Sequence, residues 1–350
     1  MFLNNIQAFK QLGDLLRNPQ WVEKTFAETI SRQYRENSWF TPEHCRHALF
    51  AIGQMLSAGA LEAYYARYQD IAPDKAPRRR IAVISAGNIP LAAFHDFFCI
   101  LVGGNDYQGK LSSQDKLLLP ALAQELERIE PQFAQRISFV ERIADFDAVI
   151  ATGSNNSARY FEYYFGKYPH ILRKNRNSVA ILDGSETESE LRALANDIYL
   201  YFGLGCRSVS KLFVPENYDF APFLQILTQT SQPIALHHQF NNNLEYQKAI
   251  HLMNKITYLD AGTFLLVENP SYASPIGMLH YEYYNDIASV NQQLAEDREL
   301  LQCTVSKNPH IDNAEPFGHA QTPTLTDYPD GIDILDFTWR IPSSPPSPDA

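Results

Sequence analysis

The stretch Ile81-Ala82-Val83-Ile84-Ser85-Ala86-Gly87-Asn88 decides the fold of this chain. A short, continuous apolar run that ends in a polar, glycine-containing turn is typical of a strand buried on both faces of a parallel sheet. A helical stretch follows at residues 91–102, then a strand candidate at 105–111 and a helix at 117–129. This alternation predicts βαβ units with right-handed crossovers, and hence an α/β protein.

The same pattern predicts further strands, at residues 137–140, 148–152, 179–182, 210–215, 263–267, 279–284 and 302–305. Helices are predicted over residues 1–70, at 190–202 and from Phe220. In open parallel sheets, ligands bind beyond the carboxyl ends of the strands. We therefore expect a site at the polar turns that follow the strands, at residues 87–88, 110–113 and 153–154.

Composition and charge exclude several classes of protein. The 350 residues exceed one ordinary core and indicate about two domains. A net charge of −11 argues against a nucleic-acid-binding surface, which needs a basic stripe. No apolar run approaches the roughly 18 residues of a membrane helix, and the N-terminus lacks a signal-peptide pattern. The four cysteines form no C-x-x-C pair, which fits a reducing compartment. We expect a cytoplasmic protein without a membrane span, a nucleic-acid partner or a metal.

Cys206 follows Gly203-Leu204-Gly205 and precedes Arg207-Ser208, at a predicted turn between a helix and a strand. Flanking glycines expose the sulfur and let a substrate approach the backbone. A neighbouring cation would lower the pKa of the thiol and raise the fraction of thiolate. Taken alone, a cysteine is more often a small buried apolar residue, and that alternative stays open here.

Two polar turns can likewise be interpreted either as parts of a binding or catalytic site or as purely structural turns. The Asn88 amide could donate a hydrogen bond to an oxyanion, or Asn88 could simply form a turn after Gly87. Thr152-Gly153-Ser154 could place its backbone against a nicotinamide or a pyrophosphate, or merely cap the next helix. The dinucleotide fingerprint G-x-G-x-x-G is absent from the sequence.

Taken in order, these pieces resemble the aldehyde dehydrogenase superfamily, and most closely its acyl-CoA reductase branch, the LuxC-like fatty acyl reductases. The resemblance covers roughly residues 80–340. The family's oxyanion asparagine matches Asn88, and its lysine that binds the adenosine ribose matches Lys110. Its Thr-Gly-Ser turn near the nicotinamide matches Thr152-Gly153-Ser154, and its catalytic cysteine matches Cys206.

The resemblance implies a Rossmann-type cofactor domain, an α/β catalytic domain and a helical N-terminal region. We expect the following segments: an N-terminal helical region that packs on the cofactor domain (1–75), the dinucleotide-binding domain (76–188), the catalytic domain (189–315), a C-terminal return segment (316–341) and a disordered tail (342–350).

One departure from the family pattern concerns the reaction. Hydrolytic members carry a glutamate that activates water, and the matching position here is Arg173. Without a carboxylate base, water is a poor nucleophile toward an enzyme-bound thioester, so the acyl-enzyme would survive until hydride or a thiol reacts. Arg173, Lys174 and Arg176 could bind the phosphates of coenzyme A, or form a solvated basic loop.

A second departure concerns the cofactor. NAD-preferring relatives often carry a glutamate three residues after the ribose lysine, and here that position is Ser113, next to Ser112. Two hydroxyls beside Lys110 would accept a 2′-phosphate that a carboxylate would repel, which favours NADPH over NADH. Glu268 could match the glutamate that binds the nicotinamide ribose, or be a solvated carboxylate at a strand end.

Two further features stay open. The pair His237-His238 suggests a metal site, but adjacent histidines on a strand would point to opposite faces, so we expect no metal. The segment 317–321 (Phe-Gly-His-Ala-Gln) resembles a glycine-containing loop near the family's active-site mouth.

The resemblance therefore implies NADPH-dependent reduction of an acyl thioester, such as a fatty acyl-CoA, to an aldehyde through acyl-Cys206. One alternative is the oxidative direction, in which an aldehyde and coenzyme A give an acyl-CoA. Another is a dehydrogenase-like subunit without catalytic activity. A homo-oligomer or an acyl-transfer partner enzyme is also compatible with the family.

Overall fold

The computed structural model describes residues 2–73 and 77–342. Apart from Pro342, the tail that the sequence predicts to be disordered lies outside these residues. The chain forms two compact units, Met1–Asn175 with Pro323–Ala350, and Arg176–Thr322. The cofactor domain was expected to extend to residue 188. The units instead divide after Asn175, because the strand Asn177–Ile181 pairs with strands of the second unit.

The first unit begins with helices, as the sequence predicts: α1 (Phe2–Leu16), α2 (Pro19–Glu36), α3 (Pro42–Met55) and α4 (Ala58–Tyr68). Thr41 caps α3 by accepting the His44 N–H at 3.2 Å, with Pro42 at the first helical position. The ring of Phe9 in α1 is fully buried and lies 5.0 Å from that of Phe98. Burying large aromatic rings in this way stabilises the packing of α1 on the segment around Phe98 in the same unit.

A five-stranded parallel sheet follows, made of β1 (Arg80–Ile84), β2 (Asp106–Lys110), β3 (Ile137–Phe139), β4 (Ala148–Thr152) and β5 (His170–Arg173). Helices α5 (Phe94–Val102), α6 (Leu118–Ile129) and α7 (Asn155–Phe165) connect its strands. The strand order is β3-β2-β1-β4-β5. The chain therefore adds strands on one side of β1 and then crosses to the other side, which creates a topological switch point between β1 and β4.

The second unit contains a six-stranded sheet of order β11-β6-β7-β10-β9-β8. Its strands are β6 (Asn177–Ile181), β7 (Val209–Pro215), β8 (Leu259–Asp260), β9 (Leu265–Glu268), β10 (Met278–Tyr284) and β11 (Leu301–Ser306). Only the pairing of the short β8 with β9 is antiparallel among the described pairs. Its helices are α8 (Glu188–Tyr199), α9 (Ala221–Thr230), α10 (Gln232–Ala235), α11 (His238–Asn254) and α12 (Ile287–Glu296). Helix α13 (Ile334–Trp339) belongs to the first unit.

The predicted strands are confirmed, with ends that differ by one or two residues, and the structure adds β5 and β8. The placement of His237-His238 on a strand is wrong. His238 is the first residue of α11, and His237 caps that helix by accepting the Phe240 N–H at 3.2 Å. Helix α11 buries only Phe240, Leu244 and His251, so its sequence shows no clear apolar stripe.

None of the described helices is long and apolar enough to cross a membrane.

The turn after β1 touches the turn after β2. A Cβ atom on Gly87 would lie 2.5 Å from the Ser112 Cβ, which is closer than real Cβ contacts. Glycine is therefore required for the two turns to approach each other.

We expect Gly87→Ala to lower the free energy of unfolding by about 1–3 kcal/mol, because the added methyl group overpacks this contact. Ser112→Gly in the same chain should restore part of the loss by removing the clashing Cβ. Gly59→Ala is the matched control: it lies in α4 with nothing within 4 Å of the added atom. That change should stabilise the helix by about 0.5 kcal/mol. Urea unfolding measures all three, and a Gly87→Ala chain as stable as the parent would contradict the prediction.

Candidate active site

Three of the predicted turns lie at one edge of the first sheet. Strands β2, β1 and β4 are neighbours and run parallel, so their carboxyl ends meet at that edge. Lys110 at the end of β2 pairs with Ile84 at the end of β1, and the Ser85 N–H donates to the Lys110 carbonyl at 3.1 Å. The structure thus brings together Asn88, Lys110 and Thr152-Gly153-Ser154 on elements where open α/β sheets bind ligands.

Asn88 is exposed in the turn between β1 and α5. Three residues later, Leu91 has φ +60°, a conformation that costs a residue with a branched side chain about 1 kcal/mol. The buried Asp115 carboxylate fixes this turn by accepting the Leu91 N–H at 2.8 Å. Burial raises the pKa of Asp115 to about 6, although the hydrogen bond from Leu91 acts in the opposite direction. The position of Asn88 therefore depends on a carboxylate that follows β2.

Lys110 and Ser113 are exposed, and Ser112 Oγ accepts the Gln114 N–H at 3.2 Å. An ammonium group and two hydroxyls therefore lie beyond the end of β2, with no carboxylate at residue 113. A cation and hydroxyl donors of this kind bind phosphate groups well.

Helix α2 supports the segment that carries these hydroxyls. Gln33 donates from Nε2 to the Gln114 carbonyl at 2.8 Å and accepts the Leu117 N–H at 3.3 Å. Asn37 Nδ2 also donates to the Gln114 carbonyl, at 3.3 Å. Sequence reasoning missed both residues, because a polar residue in an amphipathic helix is normally solvated and its partner here lies about 80 residues away in sequence.

The Thr152-Gly153-Ser154 turn caps α7, whose first N–H groups face the same edge. Ser154 Oγ accepts the Ser157 N–H at 3.3 Å, so the interpretation as a cap is confirmed. That interpretation does not exclude a ligand, because the N-terminus of a helix also favours a pyrophosphate. The roles of Thr152 and Gly153 toward a cofactor remain predictions.

The three basic residues proposed for coenzyme A do not form one cluster. Arg173 is 5% exposed, and its two terminal nitrogens donate to the Asp96 carboxylate at 2.8 and 2.9 Å. Burial acts to lower the pKa of Arg173, but the paired carboxylate outweighs it and the pKa is raised. Lys174 is exposed, whereas Arg176 belongs to the second unit and donates to the Leu301 carbonyl at 3.0 Å. Arg173 is therefore committed to Asp96 instead of a phosphate.

Cys206 lies in the second unit, at an exposed turn before β7. Helix α8 was predicted to reach residue 202 but ends at Tyr199, because Tyr201 and Phe202 adopt φ values of +54° and +58°. Consecutive left-handed residues that are not glycine are strained, and such strain persists only when the surroundings impose it. Here the ring of the buried Phe202 packs 4.4 Å from that of His237.

Hydrogen bonds donated by the side chains of Ser178 and Arg207 complete the support of this turn. Ser178 Oγ in β6 donates to the Cys206 carbonyl at 2.9 Å. Arg207, the predicted neighbouring cation, donates from Nε to the Ala320 carbonyl and from Nη2 to Cys303 Sγ at 3.6 Å. Its guanidinium is therefore engaged with the segment around residue 320.

The other cysteines are buried, so Cys206 is the one exposed thiol in the part of the chain that the structure describes. Burial raises the pKa of Cys45 to about 12 and raises that of Cys99 further, which makes both thiols poor nucleophiles at neutral pH.

Glu268 is exposed at the end of β9, which is compatible with both of its predicted roles. Within residues 2–73 and 77–342, no group of three or more His, Cys, Asp or Glu side chains could hold a metal ion.

The five-stranded parallel sheet and the second, six-stranded sheet belong to an aldehyde dehydrogenase fold, as the solved structures similar to this chain show. The chain is similar to an NAD-dependent aldehyde dehydrogenase from Sinorhizobium meliloti (TM-score 0.63, 12% identity, 90% of this chain and 73% of that chain covered). It is also similar to the aldehyde dehydrogenase KauB from Pseudomonas aeruginosa (TM-score 0.59, 15% identity, coverage 83% and 69%). A third similar structure is an indole-3-acetaldehyde dehydrogenase solved with NAD+ (TM-score 0.60, 15% identity, coverage 83% and 69%).

At these identities the likeness shows the fold, and it confirms the predicted fold class. Within that class, the model of the LuxC acyl-CoA reductase family matches residues 53–261, which is more than half of the chain. The protein belongs to the LuxC acyl-CoA reductase family and is an oxidoreductase enzyme. No match was found among curated proteins.

We expect Arg173→Met to lower the free energy of unfolding by about 3–5 kcal/mol, because it leaves the Asp96 carboxylate buried without its partner. The double variant Asp96→Leu/Arg173→Met should regain most of this loss, since no charge is then left buried. Lys174→Met, at the exposed neighbour, serves as the control. Urea unfolding is the measurement. A stable Arg173→Met chain with a raised KM for the CoA thioester would instead support a role in phosphate binding.

The stability contributed by Asp115 should depend on pH. The pKa of its carboxyl is about 6 in the folded protein against a usual value of 3.8, so the folded state retains a proton that the unfolded chain releases. This group therefore stabilises the fold as the pH falls through about 6 toward 4, and that contribution is lost as the pH rises. Relative to Asp115→Asn, the wild-type free energy of unfolding should gain about 2 kcal/mol between about pH 7 and pH 4. Asp70→Asn controls for loss of an exposed carboxylate, and a difference that does not vary with pH would refute the assignment.

Proposed function

We propose that this protein reduces an acyl thioester of coenzyme A, with a fatty acyl chain, to the aldehyde through a covalent acyl-Cys206 intermediate, and that NADPH is the reductant. The observation that carries the proposal is the exposed Cys206 thiol on a strained, well-supported turn in a chain of the LuxC family. A thiol held in this way is available to an acyl donor and is anchored against reorientation.

In the first step the Cys206 thiolate attacks the thioester carbonyl, and a new C–S bond forms. The proposal assigns the resulting oxyanion to the Cys206 backbone N–H and the Asn88 side-chain amide, each of which is an N–H donor. When the tetrahedral centre collapses, the bond to the coenzyme A sulfur breaks and its thiolate leaves with the electron pair. The acyl group then remains on Cys206.

In the second step the acyl group is reduced. NADPH, when bound, supplies a hydride to the carbonyl carbon of the acyl-enzyme. The oxyanion that results is held by the same two donors. Its collapse breaks the C–S bond to Cys206, which releases the aldehyde and regenerates the thiolate.

The groups at the edge of the first sheet fit NADPH. Lys110, Ser112 and Ser113 would bind the phosphorylated ribose, and the Thr152–Ser154 turn with the start of α7 would bind the pyrophosphate or nicotinamide. Glu268 would bind the nicotinamide ribose.

Hydrolysis of the acyl-enzyme is disfavoured by the chemistry at residue 173. The position that resembles the water-activating glutamate carries Arg173, and its guanidinium is buried against Asp96. Water without a base attacks a thioester slowly, so the acyl group persists until hydride arrives.

The test follows nicotinamide absorbance after the full chain is mixed with short-, medium- and long-chain acyl-CoA and NADPH. We expect NADPH oxidation that is fastest with a long chain, slower with NADH, and undetectable for Cys206→Ala because no acyl-enzyme forms. Cys45→Ala, which removes a buried thiol from α3, should keep the activity.

Two outcomes would redirect the proposal. Aldehyde-dependent reduction of NADP+ in the presence of coenzyme A, without the reverse reaction, would favour the oxidative direction. No turnover with any substrate, together with iodoacetamide labelling of Cys206 no faster than that of a free thiol, would favour a subunit without catalytic activity.

A further inference from the structure

The segment 317–321 is fastened to the fold by a buried carboxylate. Asp197 in α8 has no exposed surface, and its two oxygens accept the Gly318 N–H at 2.6 Å and the Ala320 N–H at 3.1 Å. Gly318 has φ +87°, and a Cβ there would lie 3.0 Å from the Ala193 Cβ of the same helix. The segment therefore follows α8 closely, in a conformation suited to glycine.

The same segment is bonded to the two residues that follow Cys206. The Arg207 Nε donates to the Ala320 carbonyl, and Gln321 Nε2 donates to Ser208 Oγ at 3.2 Å. Ser208 and Gln321 are buried, so these bonds are sheltered from competing water. We call the set formed by Asp197, segment 317–321, Arg207 and Ser208 the latch.

The Asp197 carboxylate at the centre of the latch is a group whose burial costs free energy. A buried carboxylate must offset the loss of its hydration, and two neutral N–H donors do this only in part. Burial accordingly raises the pKa of Asp197 to about 6, although both N–H bonds and the nearby His319 and Arg207 act to lower it. Only an ionised carboxylate offers an acceptor oxygen to each of the two N–H groups, because an amide would turn its NH2 group toward one of them.

We propose that Asp197 is a positioning residue for Cys206: its carboxylate fixes segment 317–321, which in turn holds Arg207 and Ser208 and so sets the conformation in which the sulfur is presented. The inference rests on the proposed function, since it assigns Asp197 to the nucleophilic turn of that reaction. It adds a residue that touches neither substrate nor cofactor.

The role implies a defined dependence on pH. The ionised carboxylate accepts both N–H groups, whereas the protonated acid carries an O–H that competes with them at one oxygen. The latch is therefore complete only above a pH of about 6. We expect kcat to fall as the pH drops through that value. The rate of Cys206 alkylation by iodoacetamide, divided by the fraction of Cys206 that is thiolate, should fall over the same pH range.

The test uses the full chain with Asp197→Asn, which keeps the shape of the side chain but turns an NH2 group toward one of the two N–H donors. We expect kcat to fall about 10- to 100-fold, because small misplacements of a reacting group cost that much. The KM for NADPH should stay the same, and the change near pH 6 should vanish from both profiles.

The matched control is Asp286→Ala in the same unit, which loses a comparable bond to the Ser289 N–H at 2.8 Å at the start of α12. It should lower stability and leave kcat and both pH profiles as in the wild type. If Asp197→Asn does not fold, Ser208→Ala removes only the bond from Gln321 and should lower kcat in the same direction by a smaller factor.

Wild-type kcat and pH profiles in Asp197→Asn would overturn the inference, as would a wild-type kcat in Ser208→Ala where that variant replaces it. So would a loss of stability with no change in kcat or in alkylation. The alkylation rate is measured without acyl-CoA or NADPH, so it separates the two claims. If the wild type fails to oxidise NADPH, the proposed function fails, while the coupling of Asp197 to Cys206 is still decided by alkylation.

Discussion

The parallel pairing of β1 with β2 on one side and β4 on the other is the constraint on which the first unit depends. Ile81, Ala82 and Val83 in β1 are completely buried, so the strand cannot shift its register without exposing apolar side chains or burying polar ones. This register places the end of β2 beside the end of β1 and allows the two following turns to touch at Gly87. The candidate cofactor groups therefore share an edge because the core strand is fixed.

In the second unit, the main constraint acts on the backbone around one small, exposed side chain, that of Cys206. A cysteine cannot anchor itself through its own packing, so the backbone on each side of it is constrained. Upstream, Tyr201 and Phe202 accept a left-handed conformation that buried ring contacts impose. Downstream, Arg207 and Ser208 are bonded to segment 317–321. Rigid support of this kind is typical of residues that must meet a substrate in one geometry.

Much of this could be predicted from the sequence, because the strands and turns of a parallel sheet are local patterns. Continuous apolar runs located β1, β4 and β7, and glycine with polar residues located the turns that follow them. Strand β5 was not predicted because only two of its four residues, Ile171 and Leu172, are apolar, which is too short a run to indicate a strand. Helix α11 was not predicted because it buries only three side chains, which are too few to give its sequence a clear apolar stripe.

Long-range polar pairs could not be predicted in the same way. Arg173 is 77 residues from Asp96 in sequence, and Asp197 is 121 residues from Gly318. No local pattern connects such partners, so the arginine was interpreted as a solvated or ligand-binding cation. The sequence identifies which side chains are polar, but the tertiary fold determines which of them are buried and with what partner.

These buried polar groups differ in what they stabilise. Asp96 faces a guanidinium, and the pair satisfies its own charges inside the core. Asp115 and Asp197 instead accept backbone N–H groups from turns beside Asn88 and Cys206, in segments where Leu91 and Gly318 have positive φ. A buried carboxylate is stabilised less by backbone N–H groups than by a cation. Its contribution to the fold is therefore the backbone conformation that it fixes. In each unit the residue that matches the family motif therefore depends on a buried carboxylate elsewhere in that unit, which no motif contains.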